Sequence, residues 1–170
     1  MDELELRLLN EGIDRLLLSA QEKVALIEKS SIGTGMAWQE LQVLAEFFEV
    51  YQAHPGAYVC HQGERSDFIC LVCQGRMEVR KHDLKHKDKV IATIGPGQTV
   101  GEMAVIEREP RSASVIALSR ALLLVLSNDQ FVRMADTYPR LWGKVLLQMA
   151  ITLSRRLRRT SGVLAEYLQS

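Results

Sequence analysis

The chain has 170 residues, of which 47% are hydrophobic and 25% are charged, and its 21 basic and 21 acidic side chains give a formal net charge of zero. Apolar side chains are plentiful enough for the core of one domain with terminal extensions, but no run of 18 apolar residues exists that could cross a membrane. The acidic N-terminus has no signal-peptide pattern, and three closely spaced cysteines fit a reducing compartment better than a disulfide framework. We therefore expect a cytoplasmic protein that is not embedded in a membrane.

The N-terminal part of the chain, residues 1–53, is predicted to be a helical segment. Residues 3–18 carry apolar side chains at helical spacing, which predicts a first helix. These side chains are Leu6, Leu9, Ile13, Leu16 and Leu17. Ser19 and Glu22 match a capping box, which predicts that a second helix runs over about 20–29.

The pattern changes after a third amphipathic helix, which is predicted over 38–51. Beyond it, short apolar or alternating runs are separated by turn residues, which is typical of strands in a sandwich or barrel-like roll. The predicted strands are 57–61, 68–72, 76–81, 90–94, 112–117 and 122–126, with a charged hairpin loop over 82–89. We expect residues 54–127 to form one antiparallel roll.

The last part of the chain, residues 128–170, is predicted to contain a short helix over 128–136 and a long helix that starts at Pro139 and reaches about residue 160 or beyond. Gly162 favours an end near that point, because an interior glycine costs roughly 1 kcal/mol relative to alanine. The long helix carries a heptad-like series, here named the C-terminal seam: Trp142, Leu146, Met149, Leu153, Arg156, Thr160, Val163 and Tyr167. Such a series packs against a partner helix, so we expect a homodimer through this helix.

Charge is distributed unevenly along the chain. Residues 1–53 hold 10 acidic and 4 basic side chains, whereas residues 133–170 hold 7 basic and 2 acidic ones. The two ends can contact each other, within one chain or across a dimer, or they form two solvated faces. The four arginines between 155 and 159 have no interleaved aromatic residue for stacking on bases, so direct binding to DNA is not expected.

The segment from Gly101 to Val115 combines a Gly-Glu turn, a short apolar stretch and a Pro-Arg-Ser-Ala strand start. Gly101 lets the backbone approach a ligand without a Cβ atom, and residues 103–106 predict one helical turn whose N–H groups point at an anion. Arg111 can fork onto two phosphate oxygens, and Glu102 can accept a sugar hydroxyl. Alternatively, Glu102 and Arg111 form an ordinary ion pair beside a turn.

This segment closely resembles the phosphate-binding cassette of the cyclic nucleotide-binding domain family, whose pattern is Gly-Glu, a short apolar helix and Pro-Arg-(Ala/Ser/Thr)-Ala. The resemblance extends from about residue 55 to about residue 160. It implies an α+β fold in which an antiparallel, jelly-roll-like β-roll carries N-terminal helices and a long C-terminal helix, which acts as a lid or a dimer contact. It implies cAMP or cGMP as the ligand and no further cofactor.

The resemblance also implies a role for each cassette residue. Glu102 is expected to bind the ribose 2′-OH, and Arg111 is expected to neutralise the cyclic phosphate. Ser112, with the backbone N–H groups of Ala104 and Ala113, is expected to complete the phosphate cradle. The implied site within the cassette, residues 101–113, comprises Gly101, Glu102, Met103, Ala104, Arg111, Ser112 and Ala113.

Residues outside the cassette are implied to meet the base. Val79, Ile91 and Val100 are expected to flank the base inside the roll, or else they serve only as core packing. The string from residue 155 to 161 resembles the stretch of catabolite activator-type members of the family whose helix caps the purine, from the same or the neighbouring subunit. The residues implied there are Arg156, Thr160 and Ser161, and the alternative is a solvated helix end.

Metal binding and catalysis are not predicted. Cys70 and Cys73 have C-x-x-C spacing, but an offset of three residues in a strand directs the two side chains to opposite faces. His82 and His86 lie in a charged loop and are expected to be solvated. No acidic or hydroxyl side chain has the organised neighbours that a catalytic group requires, so we do not expect an enzyme.

The sequence therefore predicts a regulatory module that binds a cyclic nucleotide and couples binding to movement of its C-terminal helix, for an unidentified downstream protein. The resemblance implies a preference for cAMP over cGMP, because Ser112 stands where relatives that prefer cGMP often carry Thr. One alternative is a ligand-free scaffold or dimerisation module with a vestigial pocket. Another is the sensor part of a catabolite activator-like transcription regulator, which would need a longer chain, because a helix-turn-helix takes about two more helices and only ten residues of this sequence follow Thr160.

Overall fold

The computed structural model describes residues 2–82 and 87–169, apart from the side chain of Gln169. The helices are α1 (Glu3–Asn10), α2 (Ala20–Glu28), α3 (Trp38–Glu46), α4 (Glu102–Glu107), α5 (Asn128–Thr137) and α6 (Pro139–Gln169). The strands are β1 (Ile13–Leu16), β2 (Glu49–Ala53), β3 (Tyr58–Cys60), β4 (Phe68–Gln74), β5 (Met77–His82), β6 (Asp88–Ile94), β7 (Thr99–Val100), β8 (Ser114–Ala117) and β9 (Ala121–Ser127).

The strands form two antiparallel sheets, ordered β1-β2-β9-β4-β7 and β3-β8-β5-β6. In the first sheet Tyr51 of β2 lies opposite Leu123 of β9, and in the second Val79 of β5 lies opposite Val115 of β8. The predicted α+β fold, an antiparallel β-roll with N-terminal helices and a long C-terminal helix, is confirmed. The six predicted strands are all present with shifted ends, whereas β1, β2 and β7 were not predicted.

Strand β4 separates two apolar cores. Phe68, Cys70 and Val72 belong to the core between the two sheets, whereas Ile69 and Leu71 belong to the core under the helices. The strand is therefore buried on both faces, which explains its continuous apolar run. Cys73 packs on the helical side, so the predicted opposite orientation of Cys70 and Cys73 is confirmed. Burial raises the pKa of the Cys73 thiol to about 12 and that of Cys70 further still.

The predicted helix over 3–18 is wrong in its second half. Helix α1 ends at Asn10, and Gly12 takes a φ of 78°, a left-handed conformation that glycine adopts without strain. The chain reverses there, and β1 then pairs with β2, with Ile13 opposite Ala53. The predicted capping box is confirmed: the Glu22 N–H donates to Ser19 Oγ at 3.2 Å and the Ser19 N–H to Glu22 Oε2 at 2.8 Å.

The predicted helix over 38–51 is also too long. Helix α3 ends at Glu46, and the chain continues as β2, which lies between β1 and β9 in the sheet. Val50 packs in the helical core and Tyr51 in the core between the sheets, so both faces of β2 are buried. Pairing with strands on both sides therefore outweighs the helical spacing of the apolar side chains.

Helix α6 has two different halves. Leu141, Val145 and Met149 are buried against the helical core, which anchors the first half of the helix. The second half is exposed, and the helix continues past Gly162 to Gln169, so the expected end near Gly162 is wrong. Nothing lies within 4 Å of a Cβ placed on Gly162, and a 31-residue helix tolerates the cost of one such glycine.

An ion pair joins the acidic and basic ends of the chain. Lys144 Nζ of α6 lies 2.6 and 2.8 Å from the two carboxylate oxygens of Glu40 in α3. This pair shows that the contact predicted between the two ends exists within one chain. Among the described residues, no helix is long and apolar enough to span a membrane, and no group of three or more metal-binding side chains lies together. His86 lies outside the described residues.

Candidate functional site

The cassette begins with a backbone conformation that requires glycine. Gly101 has a φ of 97° and precedes α4, the helix that was predicted over 103–106. A Cβ atom on Gly101 would lie 2.5 Å from Arg111 Nη1 and 2.6 Å from the carbonyl oxygen of Phe68, which is closer than such contacts occur in proteins. The glycine therefore lets the Arg111 side chain pass directly against the start of the cassette.

Arg111 is held by three neutral acceptors. Its Nε donates to Ser66 Oγ at 2.9 Å, its Nη1 to the carbonyl oxygen of Gly101 at 3.2 Å, and its Nη2 to that of Phe68 at 2.9 Å. The guanidinium carbon lies 4.4 Å from the centroid of the Phe68 ring. Arg111 is 5% exposed, and burial lowers its pKa, but an arginine stays charged at neutral pH. The site thus holds a rigid, buried positive charge.

Glu102 is bonded to the long helix. Its Oε2 accepts a hydrogen bond of 3.0 Å from Nη1 of Arg156, and its Oε1 accepts one from the hydroxyl of Thr99. The second Nη atom of Arg156 donates to the carbonyl oxygen of Thr99. Glu102 is 1% exposed, whereas the Arg156 side chain is 37% exposed. In the part of the chain that the structure describes, Glu102 pairs with Arg156, so the alternative of an ordinary Glu102–Arg111 ion pair is not observed.

The other predicted phosphate residues surround Arg111 and Glu102 along the chain. Ala104 and Ala113 are buried, Ser112 is exposed, and Met103 is 43% exposed on α4. Helix α4 starts at Glu102, so its first N–H groups have no acceptor within the helix.

The residues predicted to meet the base lie in three different environments. Val79 and Val100 pack on the core between the sheets, and Ile91 is 57% exposed on β6. Thr160 and Ser161 are exposed on α6, about one turn beyond Arg156. Of the α6 residues that were predicted to reach the ligand, Arg156 is the one that contacts the cassette in this structure, at Glu102.

Three residues that hold the site were not predicted. Thr99 lies in β7, a strand of two residues, which is too short to produce a periodic pattern. Ser66 and Phe68 were assigned to a turn and to a strand, but their contacts with Arg111 span more than 40 residues of sequence. Such contacts depend on tertiary packing, and the spacing of residue types along the chain does not reveal them.

Comparison with known proteins identifies the family. The family model named cyclic nucleotide-binding domain matches residues 51–138, slightly more than half of the chain. The chain belongs to the cyclic nucleotide-binding domain family. A cyclic nucleotide-binding domain from Methylobacillus flagellatus KT has the same fold, with a TM-score of 0.87 at 24% identity, and the match covers 98% of this chain and 96% of that one.

Two curated relatives are larger proteins. This cyclic nucleotide-binding domain is 36% identical to the Pycsar effector protein XpPycTIR of Xanthomonas perforans over 110 residues. The matched residues make up 64% of this chain and 33% of the relative. It is 27% identical to the cyclic AMP receptor protein of Thermus thermophilus over 124 residues. These residues make up 73% of this chain and 56% of the relative. The matched region therefore spans a third to just over half of the length of these relatives.

Proposed function

We propose that the cassette binds a 3′,5′-cyclic nucleotide, with cAMP preferred over cGMP, and that binding is transmitted to α6. One observation carries this proposal: Glu102, the expected acceptor for the ribose hydroxyl, is bonded to Arg156 of α6. The binding site and the long helix therefore share one buried carboxylate. A ligand that uses this carboxylate changes the contact that holds α6 on the cassette.

Arg111 supplies the phosphate contact. A guanidinium has five N–H groups, and three of them bond to Ser66, Gly101 and Phe68. The two that remain can donate to two oxygens of one phosphate. Because the three protein acceptors are neutral, they orient the guanidinium without cancelling its charge. Ser112 and the backbone N–H groups of Ala104 and Ala113 complete the cradle in this proposal.

Glu102 supplies the coupling. When the ribose 2′-OH donates to Glu102, it competes with Arg156, whose side chain is 37% exposed and can exchange its partner for water or ligand. The ligand shifts the position of α6 only by the difference between its affinities for the two arrangements. Arg156, Thr160 and Ser161 on α6, with Val79, Ile91 and Val100 on the roll, are the proposed contacts for the base. The relative from Thermus thermophilus is a cyclic AMP receptor protein, which supports cAMP as the ligand.

We further propose that α6 forms a homodimer contact and that the module regulates an unidentified downstream protein in the cytoplasm without catalysing a reaction. Support comes from the large apolar side chains exposed on the second half of α6: Leu157, Val163, Leu164, Tyr167 and Leu168. A stripe of this kind is typical of a helix that packs on a partner. We expect the unchanged chain to sediment as a dimer and the Leu164→Glu variant to sediment as a monomer.

The binding proposal is tested by calorimetric titration with cAMP, cGMP and 5′-AMP. We expect cAMP to bind most tightly and 5′-AMP, whose phosphate is not cyclic, to bind least. Arg111→Met leaves a bound phosphate without its charge partner, which costs about 3–5 kcal/mol or roughly a hundredfold to several-thousandfold in Kd. Arg76→Met, at an exposed arginine outside the site, is the matched control. Equal affinities of the Arg111→Met variant and the unchanged chain would refute the site.

A ligand-free scaffold is the second candidate. It is favoured by the two partners that Glu102 has within the chain, Thr99 and Arg156. This reading predicts that no cyclic nucleotide binds in the titration while sedimentation still detects a specific dimer.

A further inference from the structure

We infer that Arg7 of α1 is a positioning residue for Arg111, acting through the carboxylate of Glu64 and the ring of Phe68. The inference rests on the proposed function, since it concerns the side chain that we assign to the phosphate. It adds the N-terminal helix to the binding apparatus, although α1 lies outside the cassette in sequence.

Arg7 and Glu64 form a two-point contact between α1 and the turn that follows β3. Arg7 Nε lies 2.6 Å from Glu64 Oε1, and Arg7 Nη2 donates to Glu64 Oε2 at 2.8 Å. The same Nη2 donates to the carbonyl oxygen of Val59 at 2.9 Å. The two side chains are only 24% and 21% exposed, so the ion pair is partly shielded from water.

The Glu64 turn in turn holds the backbone of Arg111. The Arg111 N–H donates to the carbonyl oxygen of Glu64 at 2.8 Å, and the Gly63 N–H donates to that of Arg111 at 2.8 Å. The Glu64 carboxylate also accepts the His61 N–H at 2.9 Å, which closes the turn. Because one carboxylate binds both Arg7 and the turn, the position of α1 fixes the backbone from which the Arg111 side chain extends.

Phe68 forms a second connection between the two arginines. The guanidinium carbon of Arg111 lies 4.4 Å from the centroid of this ring, and that of Arg7 lies 5.7 Å from it. The carbonyl oxygen of Phe68 accepts a hydrogen bond from Nη2 of Arg111. Arg7 therefore contacts both structures that orient Arg111, the turn and the ring.

Charge makes the arrangement sensitive to Arg7. Burial is the main cause that lowers the pKa of Arg111; the Glu64 carboxylate opposes this effect and the Arg7 charge adds to it. If Arg7 loses its charge, the partly buried Glu64 carboxylate has lost its cationic partner and attracts Arg111 instead. The guanidinium then shifts away from the phosphate position. Replacing Glu64 as well removes the unpaired charge and the attraction.

Three variants separate this role from a general loss of stability. Arg7→Met removes the charge, and Arg7→Met/Glu64→Gln removes both charges. Arg15→Met is the control, because Arg15 also forms an ion pair with α1 but lies outside the cassette. Its Nη1 lies 3.2 Å from Oε2 of Glu5 in α1, and its Nη2 lies 3.0 Å from Oε1 of Glu49. All measurements are made at a temperature at which circular dichroism shows every variant folded.

The first readout is the Nε–Hε resonance of Arg111 in the ligand-free protein, assigned with an Arg111→Lys variant. We expect Arg7→Met to shift this resonance, the double variant to restore it, and Arg15→Met to leave it in place. The second readout is the dissociation constant for cAMP, which we expect to rise about tenfold in Arg7→Met and to return to within about threefold of the original in the double variant.

The outcomes distinguish the two proposals. An unmoved Arg111 resonance in Arg7→Met overturns the positioning role, whatever happens to cAMP binding. A shift that Arg15→Met reproduces, or that the double variant does not reverse, also overturns it, since both indicate a general structural effect. If the unchanged chain binds no cAMP, the proposed function fails, and the resonance alone then decides whether Arg7 positions Arg111.

Discussion

Replacing Arg156 by methionine removes the contact through which the second half of α6 reaches the cassette. The variant keeps the helical propensity and most of the side-chain volume, but Glu102 is left with Thr99 as its remaining described partner. We expect cAMP to bind still, because Arg111 supplies the phosphate contact independently. What we expect to disappear is the effect of the ligand on α6.

The cost to stability follows from the burial of the two side chains. Removing one partner of a fully buried pair costs about 3–5 kcal/mol. Here Glu102 is 1% exposed, but the Arg156 side chain is 37% exposed and Thr99 remains bonded, so a loss of about 2 kcal/mol is expected. For a chain of this size that corresponds to a fall in Tm of about 4–8 °C. In a Glu102→Gln background the same change should cost less than about 0.5 kcal/mol, because no buried charge is left unpaired.

The assay for coupling is amide hydrogen exchange of α6 with and without saturating cAMP. In the unchanged chain the ligand should alter exchange between residues 150 and 165, and in Arg156→Met it should not. Arg155→Met, at the exposed neighbouring arginine, is the control and should behave like the unchanged chain. If Arg156→Met binds cAMP and still shows the full ligand-dependent change in α6, the coupling does not pass through this contact and the reasoning is refuted.

Three further predictions concern the backbone and the turn beneath the cassette. Gly101→Ala should lower the free energy of unfolding by about 2 kcal/mol or more and abolish cyclic nucleotide binding, because its Cβ collides with Arg111 and its φ is 97°; urea denaturation and titration measure both effects. Arg108→Gly should stabilise the chain by about 1 kcal/mol, because Arg108 ends α4 with a φ of 56° that costs a non-glycine residue energy; an unchanged urea midpoint would contradict this. Burial raises the pKa of Glu64, but the hydrogen bond from the His61 N–H and the charge of Arg7 outweigh burial, so the pKa lies below its usual value of 4.5. The ionised carboxylate therefore stabilises the fold above about pH 5. This stabilisation is lost as the pH falls through the lowered pKa. The Tm difference between the unchanged chain and Glu64→Gln should therefore shrink between pH 5 and pH 3.

The strands that the sequence revealed are those that turn residues separate. In the roll, glycines and short polar runs mark each reversal, and six strands could be predicted with errors of a few residues at their ends. The two strands that were missed near the N-terminus continue a helical spacing of apolar side chains. Leu6 and Leu9 lie on α1 and are each 46% exposed, whereas Ile13, at the next helical step, is fully buried in a strand. The pattern correctly marked apolar positions, but their helical spacing wrongly predicted a helix beyond Asn10. Gly12 was the local sign that the chain reverses there.

The cassette could be predicted because its chemistry is local. Gly101, Glu102 and Arg111 lie within eleven residues, and the backbone conformation that brings them together is a property of that segment and its glycine. The side chains that hold Arg111 could not be predicted in the same way. Ser66 and Phe68 lie in another strand and turn, and no spacing rule connects them to residue 111.

The contact between Glu102 and Arg156 shows why the functional conclusion needed the structure. Sequence reasoning assigned each of these residues to the ligand separately, one to the ribose and one to the base. In the folded chain they bind each other across 54 residues. If the ligand uses the same carboxylate, as we propose, it competes with Arg156, and binding then affects α6 to the extent that the ligand favours one arrangement. With a pair worth about 1.5 kcal/mol, losing the contact between Glu102 and Arg156 changes the equilibrium constant for docking of α6 by roughly tenfold, which lies in the usual range of allosteric coupling.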